Sequence, residues 1–92
     1  LATLYFNLSV IYSSTGKIEK AISYAIKALK IRERILDKNH PSLRDSYLHI
    51  AQFYLILNDY KNYYLYTKKS NTITRNNKNK NFSILDSEQK KM

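Results

Sequence analysis

The residues best placed to do chemistry in this chain are the histidines His40 and His49 and the aspartate Asp45. Asp45 and His49 are spaced i, i+4, so a helix would place both on one face, where they could share a metal ion. A zinc site needs at least three protein ligands, and the chain contains no cysteine. Two ligands are too few, and we therefore predict no metal site and no other cofactor.

Nucleophilic and phosphate-handling chemistry also lacks its usual residues. Ser13 and Ser14 have no local base that could activate them. Gly16 is the single glycine of the chain, so a glycine-rich phosphate loop cannot be built. His40 lies beside the single proline, Pro41, where we expect it to have a structural role in a turn. These residues predict a protein that is not an enzyme.

Tyrosines and basic residues indicate a second kind of chemistry, namely contact with nucleic acid or another polyanion. The net charge of +9 favours acidic partners of any class. Lys20, Lys27 and Arg34 are spaced seven residues apart and would form a stripe on one helix face, for which a solvated surface is the simplest interpretation. Most tyrosines have the helical spacing of packing residues, and Tyr64 is a candidate for exposure. We expect neither nucleic acid nor a membrane as partner, and association with a polyanion through the basic surface is kept as the alternative function.

Four segments carry the apolar periodicity of helices, within a length that allows one small domain. The first extends from residue 4 to 12 and the second from residue 18 to 35, with Gly16 between them at a predicted left-handed helix end. Pro41 ends the second segment. Ser42 is the predicted N-cap of the third helix, with Asp45 as its acidic capping partner. Asn58 marks the next break, before a fourth helix rich in tyrosine.

The two halves of the chain repeat with a period of 42 residues, the separation of Gly16 and Asn58. Residues of the same kind are paired by this shift: Leu8 with Ile50, Ser9 with Ala51, Ile11 with Phe53, Tyr12 with Tyr54, Ile18 with Tyr60, and Tyr24 with Tyr66. The segment over residues 36–43 is therefore the joint between two copies of one helix–turn–helix unit.

The first unit, with the pattern N-L-S-x-x-Y-x-x-x-G-x-I-x-x-A, resembles the tetratricopeptide repeat (TPR). Its matching residues are Leu8, Ser9, Tyr12, Gly16, Ala21 and Ala28, and those of the second unit are Ile50, Ala51, Tyr54, Asn58 and Tyr60. The usual TPR period is about 34 residues. The longer period and the segment ALKIRERILDKNHPSL are similar to the 42-residue repeats of kinesin light chains. Tyr63 and Ser70 replace the two alanines, which makes the second unit degenerate.

The resemblance implies an all-α fold of antiparallel helix–turn–helix repeats, stacked as an α-solenoid of two TPR units. The predicted division is a first repeat over residues 1–42, a degenerate second repeat over 43–74, and an Asn/Lys-rich tail over 75–92. Composition predicts a disordered or linker-like stretch at 75–81. A short helix over 83–91, capped by Ser83, would either cover the end of the stack or fray.

A solenoid of this kind implies a concave groove, lined by the first helix of each unit, that binds a peptide of a partner protein. The phase of the core residues predicts ten residues in this groove: Thr3, Phe6, Asn7, Val10, Ser14, Asp45, Leu48, His49, Gln52 and Ile56. In kinesin-light-chain-like arrays an asparagine near the position of Asn7 contacts the backbone of the bound peptide, and His49 takes this position in the second unit. The predicted function is non-catalytic protein–protein interaction.

Two repeats are fewer than the roughly three that a stable solenoid needs. We therefore expect this chain to be the C-terminal part of a longer array, or to associate with itself through its first helix. The expected partner is a protein or peptide, with an acidic one favoured by the basic charge. The lack of cysteine and of a signal-like N-terminal segment predicts an intracellular, cytoplasmic location.

Overall fold

A computed structural model describes the backbone of residues 1–91 and the side chains of residues 1–77. It contains helices α1 (Ala2–Ser14), α2 (Ile18–Ile35), α3 (Pro41–Ile56) and α4 (Tyr60–Lys91), and no strand among residues 1–91. α1 packs on α2, α2 on α3, and α3 on α4. Two helix pairs are therefore stacked side by side, and the predicted all-α helical-repeat architecture is confirmed.

Each helix pair turns at a residue in the left-handed conformation. Gly16 has φ +81° and Asn58 has φ +60°. Glycine adopts this conformation without strain, and asparagine tolerates it better than most other residues. The backbone N–H of Lys17 donates to the carbonyl of Tyr12, and that of Asp59 donates to the carbonyl of Tyr54, each at 2.9 Å. Both helix ends predicted at these positions are confirmed.

His40, and not Ser42, caps the N-terminus of α3. Its Nδ1 accepts a hydrogen bond from the backbone N–H of Ser42 at 3.0 Å. Pro41 occupies the first position of the helix, where its missing N–H is not needed. The predicted capping pair of Ser42 and Asp45 was wrong, because the helix begins one residue before Ser42 and has no acidic residue in its first turn. The predicted structural role of His40 is confirmed.

The hydrophobic core lies between α2, α3 and α4. It consists of Ile18, Ala21, Ile22, Ala25, Leu29, Leu43, Tyr47, Ile50, Phe53 and Ile73. Small residues lie buried where helices approach closely. Ser9 is fully buried and donates its hydroxyl to the carbonyl of Phe6 at 2.7 Å. Ser70, at the position that corresponds to Ala28, is also buried, so the serine keeps the small volume that the helix pair needs.

A stack of tyrosine rings joins the two helices of each pair. In the first pair the ring of Tyr24 lies 6.1 Å from that of Tyr5 and 5.4 Å from that of Tyr12, between ring centres. The second pair repeats these contacts 42 residues later. The ring of Tyr66 stacks on that of Tyr54 at 5.7 Å and lies 6.2 Å from that of Tyr47, tilted by 42°. Repetition of the sequence thus produces repetition of side-chain contacts.

A lysine ammonium group lies over each tyrosine stack. Lys27 Nζ is 5.2 Å from the ring centre of Tyr24, and Lys69, 42 residues later, has Nζ 5.4 Å from that of Tyr66. Lys20 also lies over a ring of the first stack, at 5.5 Å. Each such cation–π contact contributes about 0.5–1 kcal/mol at an exposed site. Two of the three residues of the predicted basic stripe are therefore in contact with tyrosine rings.

α4 continues through the region where the composition predicts a linker. The backbone of residues 75–81 is helical and belongs to one helix that ends at Lys91, so a linker at 75–81 and a separate helix over 83–91 are not observed. The side-chain amides of Asn76 and Asn77 donate to the side-chain and backbone oxygens of Asn39, each at 3.0 Å. These hydrogen bonds attach α4 to the joint between α2 and α3. Ser83, the predicted cap, lies beyond the described side chains, and the domain boundaries stay predictions.

Ile50 is fully buried, whereas Ile35 is 74% exposed, and the two form a matched pair for a test of the core. Ile50→Ala should lower the free energy of unfolding by about 2–5 kcal/mol, because the deletion leaves a cavity. Ile35→Ala should change it by less than about 0.5 kcal/mol. Urea unfolding followed by circular dichroism measures both values. Equal losses would show that this core is not formed.

Tyr47 holds its proton more tightly than an ordinary tyrosine. Its hydroxyl donates to Glu33 Oε2 at 2.9 Å. Burial, together with this hydrogen bond and the negative charge of Glu33, raises the pKa of Tyr47 to about 12. Burial also raises the pKa of Tyr66. The folded protein therefore binds these protons more tightly than the unfolded chain does, and stability should fall as the pH rises from about 10 to about 12.

The variant Tyr47→Phe tests this assignment. It should remove the most alkaline step of the tyrosinate absorbance titration and reduce the loss of thermal stability above about pH 10, because no proton is released at this site. Glu33→Gln should lower the pKa of Tyr47, since it removes the nearby negative charge. Tyr64→Phe, at an exposed position, is the control and should leave the most alkaline step in place. An unchanged alkaline step in Tyr47→Phe would contradict the assignment.

Candidate functional site

The ten predicted groove residues lie on α1 and α3, the first helices of the two pairs. Nine of them are exposed and Phe6 is half-buried, and none is part of the hydrophobic core. On α1 they are Thr3, Phe6, Asn7, Val10 and Ser14, and on α3 they are Asp45, Leu48, His49, Gln52 and Ile56. This face is open to solvent, and binding of a partner there stays a prediction.

Three of these residues come together in a cleft between the two helix pairs. Phe6, Asp45 and His49 line a cleft of about 280 Å³. The ring of Phe6 contacts the imidazole of His49 edge to face, with ring centres 4.9 Å apart and planes at 73°. Because Phe6 belongs to α1 and His49 to α3, this contact connects the two repeats within the predicted groove.

Arg32 of α2 also lines this cleft and was not among the predicted residues. Its guanidinium carbon lies 5.2 Å from the ring centre of Phe6, and its Nη1 donates to Ser46 Oγ at 2.7 Å. Arg32 is half-buried, and no carboxylate within the described side chains lies within 4 Å of it. A signal was present in the sequence, since Arg32 follows Ala25 and Leu29 on the buried face of α2, where a charged residue is unusual.

The cleft is also lined by a negative charge, the carboxylate of Asp45. Asp45 Oδ1 lies 3.5 Å from Arg44 Nε, and their side chains are 61% and 35% exposed. An exposed ion pair of this kind contributes only about 0–1 kcal/mol, so Asp45 is free to exchange this partner for another. The cleft therefore combines the fixed cation of Arg32 with an accessible carboxylate, and it can bind a group that carries both an anion and an N–H donor.

The remaining predicted residues are spread along α1 and α3. Ser14 donates its hydroxyl to the carbonyl of Ile11 at 2.8 Å, so this group is used within its own helix. The apolar side chains of Val10, Leu48 and Ile56 are exposed to solvent, by 45%, 38% and 60% respectively. These are the apolar side chains of the predicted groove that a partner could cover.

Asp45 and His49 line the same cleft, but they do not form a metal centre of the usual kind. Among the described residues, no three or more histidine, cysteine and acidic side chains lie close enough together to hold a metal ion. Within the same part of the chain, no helix combines the length and the apolar character that a membrane span requires.

Comparison with known proteins places these features in a family. The family model described as "Tetratricopeptide repeat" matches residues 1–62, which include both helix turns and the joint between the helix pairs. No match was found among curated proteins. Tetratricopeptide repeats generally mediate protein–protein interaction, and proteins of the family are typically non-enzymatic scaffolds. Since the match spans about two thirds of the chain and agrees with the observed helix pairs, this protein belongs to the tetratricopeptide repeat family.

Proposed function

We propose that this protein is a non-catalytic interaction module that binds a peptide segment of a partner protein on the face formed by α1 and α3. The observation that carries the proposal is the cleft of Phe6, Arg32 and His49, which joins the two repeats. Its volume of about 280 Å³ is near the lower end of the range for ligand sites. The cleft therefore suits one or two side chains of a longer peptide.

Asn7 is the residue proposed to hold the peptide backbone. It is exposed, and its side-chain amide forms no hydrogen bond with any other residue in the range 1–77. An amide offers both a donor and an acceptor, as the peptide backbone requires. His49 corresponds to Asn7 in the second repeat, but its ring packs on Phe6. His49 therefore contributes one side of the cleft, and Asn7 makes the backbone contact.

Arg32 supports an acidic side chain in the bound peptide. A guanidinium group has five N–H donors, and Ser46 accepts from one of them. The rest can bind a carboxylate through two parallel hydrogen bonds, while the cation stays over the ring of Phe6. Asp45 is then available to accept from a donor of the same peptide.

We further propose that the two repeats belong to a longer array of the 42-residue kind found in kinesin light chains, in a cytoplasmic protein. Leu1, which precedes α1, and Leu4 and Ile11 of α1 are 76%, 57% and 57% exposed. The residues 42 positions later, Leu43, Ser46 and Phe53, are buried against the first helix pair. A further helix pair packed on α1 would bury the apolar residues in the same way.

The groove is tested by affinity capture from a lysate, with and without nuclease. The double variant Asn7→Ala, His49→Ala should lose the protein that the original chain retains, because it lacks the backbone contact and one side of the cleft. Ser23→Ala, at an exposed position of α2, is the control and should retain it. Equal capture by the double variant, or capture that nuclease abolishes, would contradict a peptide-binding groove.

The preference for an acidic peptide is tested by fluorescence anisotropy with a labelled peptide from the captured protein. Arg32→Gln should weaken binding about tenfold or more, since a hydrogen bond to a charged group contributes about 1.5–3 kcal/mol. Asp45→Asn should also weaken it, because it replaces the carboxylate that accepts from a donor of the peptide by a neutral amide. Ser46→Ala is the control that removes the internal hydrogen bond of Arg32 and keeps the cation. Thermal melts check that all variants are folded. Unchanged affinity in Arg32→Gln would show that this arginine does not contact the peptide.

A further inference from the structure

The outer face of α4, defined by Tyr60, Tyr64, Thr67, Lys68, Asn71 and Arg75, lacks the apolar residues that stack one helix pair on the next. The corresponding face of α2 packs on α3 through Ile22, Ala25 and Leu29, which are all buried. A shift of 42 residues replaces these three by Tyr64, Thr67 and Asn71. Hydroxyl and amide groups do not suit a contact with another apolar helix, so this face fits a partner of different chemistry.

Two tyrosine rings are exposed on this face. Tyr60 is 62% exposed and Tyr64 is 67% exposed, and they are one helical turn apart. The other stacking tyrosines pack on each other and beneath lysines, whereas Tyr64 makes no ring or cation contact with residues 1–77. A ring of this kind can stack on a nucleobase, which is the contact that single-stranded nucleic-acid sites use.

The charge of α4 favours a polyanion. Residues 60–77 include Lys61, Lys68, Lys69 and Arg75 and no acidic residue. Lys68 and Arg75 are seven residues apart, two helical turns, and both lie on the outer face with Tyr64. No carboxylate of the described side chains pairs with either cation. Both are therefore available to phosphate groups.

These groups form one cleft of about 320 Å³, lined by Tyr64, Thr67, Lys68, Asn71, Thr72 and Arg75. Thr67 Oγ1 is shielded from water and has no hydrogen-bond partner among the described residues. Asn71 is exposed and offers both a donor and an acceptor. The cleft combines a ring for stacking, cations for phosphate and the exposed amide of Asn71 for a base edge.

We propose that the outer face of α4 binds single-stranded nucleic acid, with Tyr64 stacked on a base and Lys68 and Arg75 in contact with phosphates. The exposed ring of Tyr64 favours single-stranded nucleic acid over an acidic protein or a duplex. An acidic protein would bind the cations without needing the ring, and the bases of a duplex are already stacked on each other. The stripe considered from the sequence is a weaker site, since Lys20 and Lys27 lie over tyrosine rings. This surface is separate from the peptide groove on α1 and α3.

Fluorescence anisotropy with the whole chain and a labelled oligouridylate of about 15 nucleotides tests the stacking contact. Tyr64→Ala should weaken binding about five- to hundredfold, the range for loss of one base–aromatic stack. Tyr64→Phe keeps the ring and should stay within about twofold of the original affinity. Because Tyr64 is exposed, both variants should melt at the same temperature as the original protein.

The salt dependence of binding tests the phosphate contact. Lys68→Gln should reduce the slope of log K against log salt concentration by about 0.7, the value for one phosphate of a single strand. Lys27→Gln removes the same charge from α2 and should leave this slope unchanged. The double variant Asn7→Ala, His49→Ala should bind the oligonucleotide like the original chain, so failure of the peptide groove is distinguished from failure of this site.

Three results would overturn the proposal. Tyr64→Ala could bind as tightly as the original protein, which would exclude stacking. Polyglutamate could displace the labelled oligonucleotide as well as unlabelled oligouridylate does, which would show a general affinity for acidic polymers. Sedimentation velocity could reveal an oligomer that Tyr64→Ala dissociates, which would make the outer face of α4 an interface between copies of this chain.

Discussion

Small side chains where helices meet are the constraint on which this structure depends. Ser9, Ala21 and Ala51 are almost completely buried, and larger residues there would separate the helices of a pair. Close approach brings the tyrosine rings of facing helices within stacking distance, and the lysines above them gain their cation–π contacts from the same geometry. The second repeat keeps this arrangement although Tyr63 takes the place of Ala21, and Tyr63 is accommodated because it is only half-buried.

The helices, their turns and their repetition could be predicted because each depends on local sequence. Apolar spacing defines the helices, and the left-handed turns occur at Gly16 and Asn58, residue types that favour this conformation locally. The course of α4 could not be predicted in this way. Asn76 and Asn77 form hydrogen bonds with Asn39, which is 37 and 38 residues earlier in the chain. Amino-acid composition cannot predict a contact between residues so far apart in the sequence. The cap of α3 was missed for a local reason, since the position of Pro41 determines where that helix starts.

The candidate site was predicted as a face rather than as a cleft. Helical phase identifies the residues that share a face, and the ten predicted residues do lie outside the core. Phase does not show where α1 and α3 come closest, and only Phe6, Asp45 and His49 meet there. Arg32 enters the same cleft from α2, where it contacts Phe6 within its own helix pair and Ser46 across the two pairs. Helical periodicity shows neither contact.

The unlike chemistry of the two outer helices determines how such molecules can assemble. Growth into a filament needs two complementary faces on every subunit, so that each copy extends the chain begun by the last. Here α1 offers an apolar face, whereas the corresponding positions of α4 are polar at Thr67 and Asn71. A contact between α1 of one molecule and α4 of another would therefore bury these polar groups, so the two outer helices are not complementary. The polar residues Thr67 and Asn71 thus disfavour head-to-tail polymerisation of this chain.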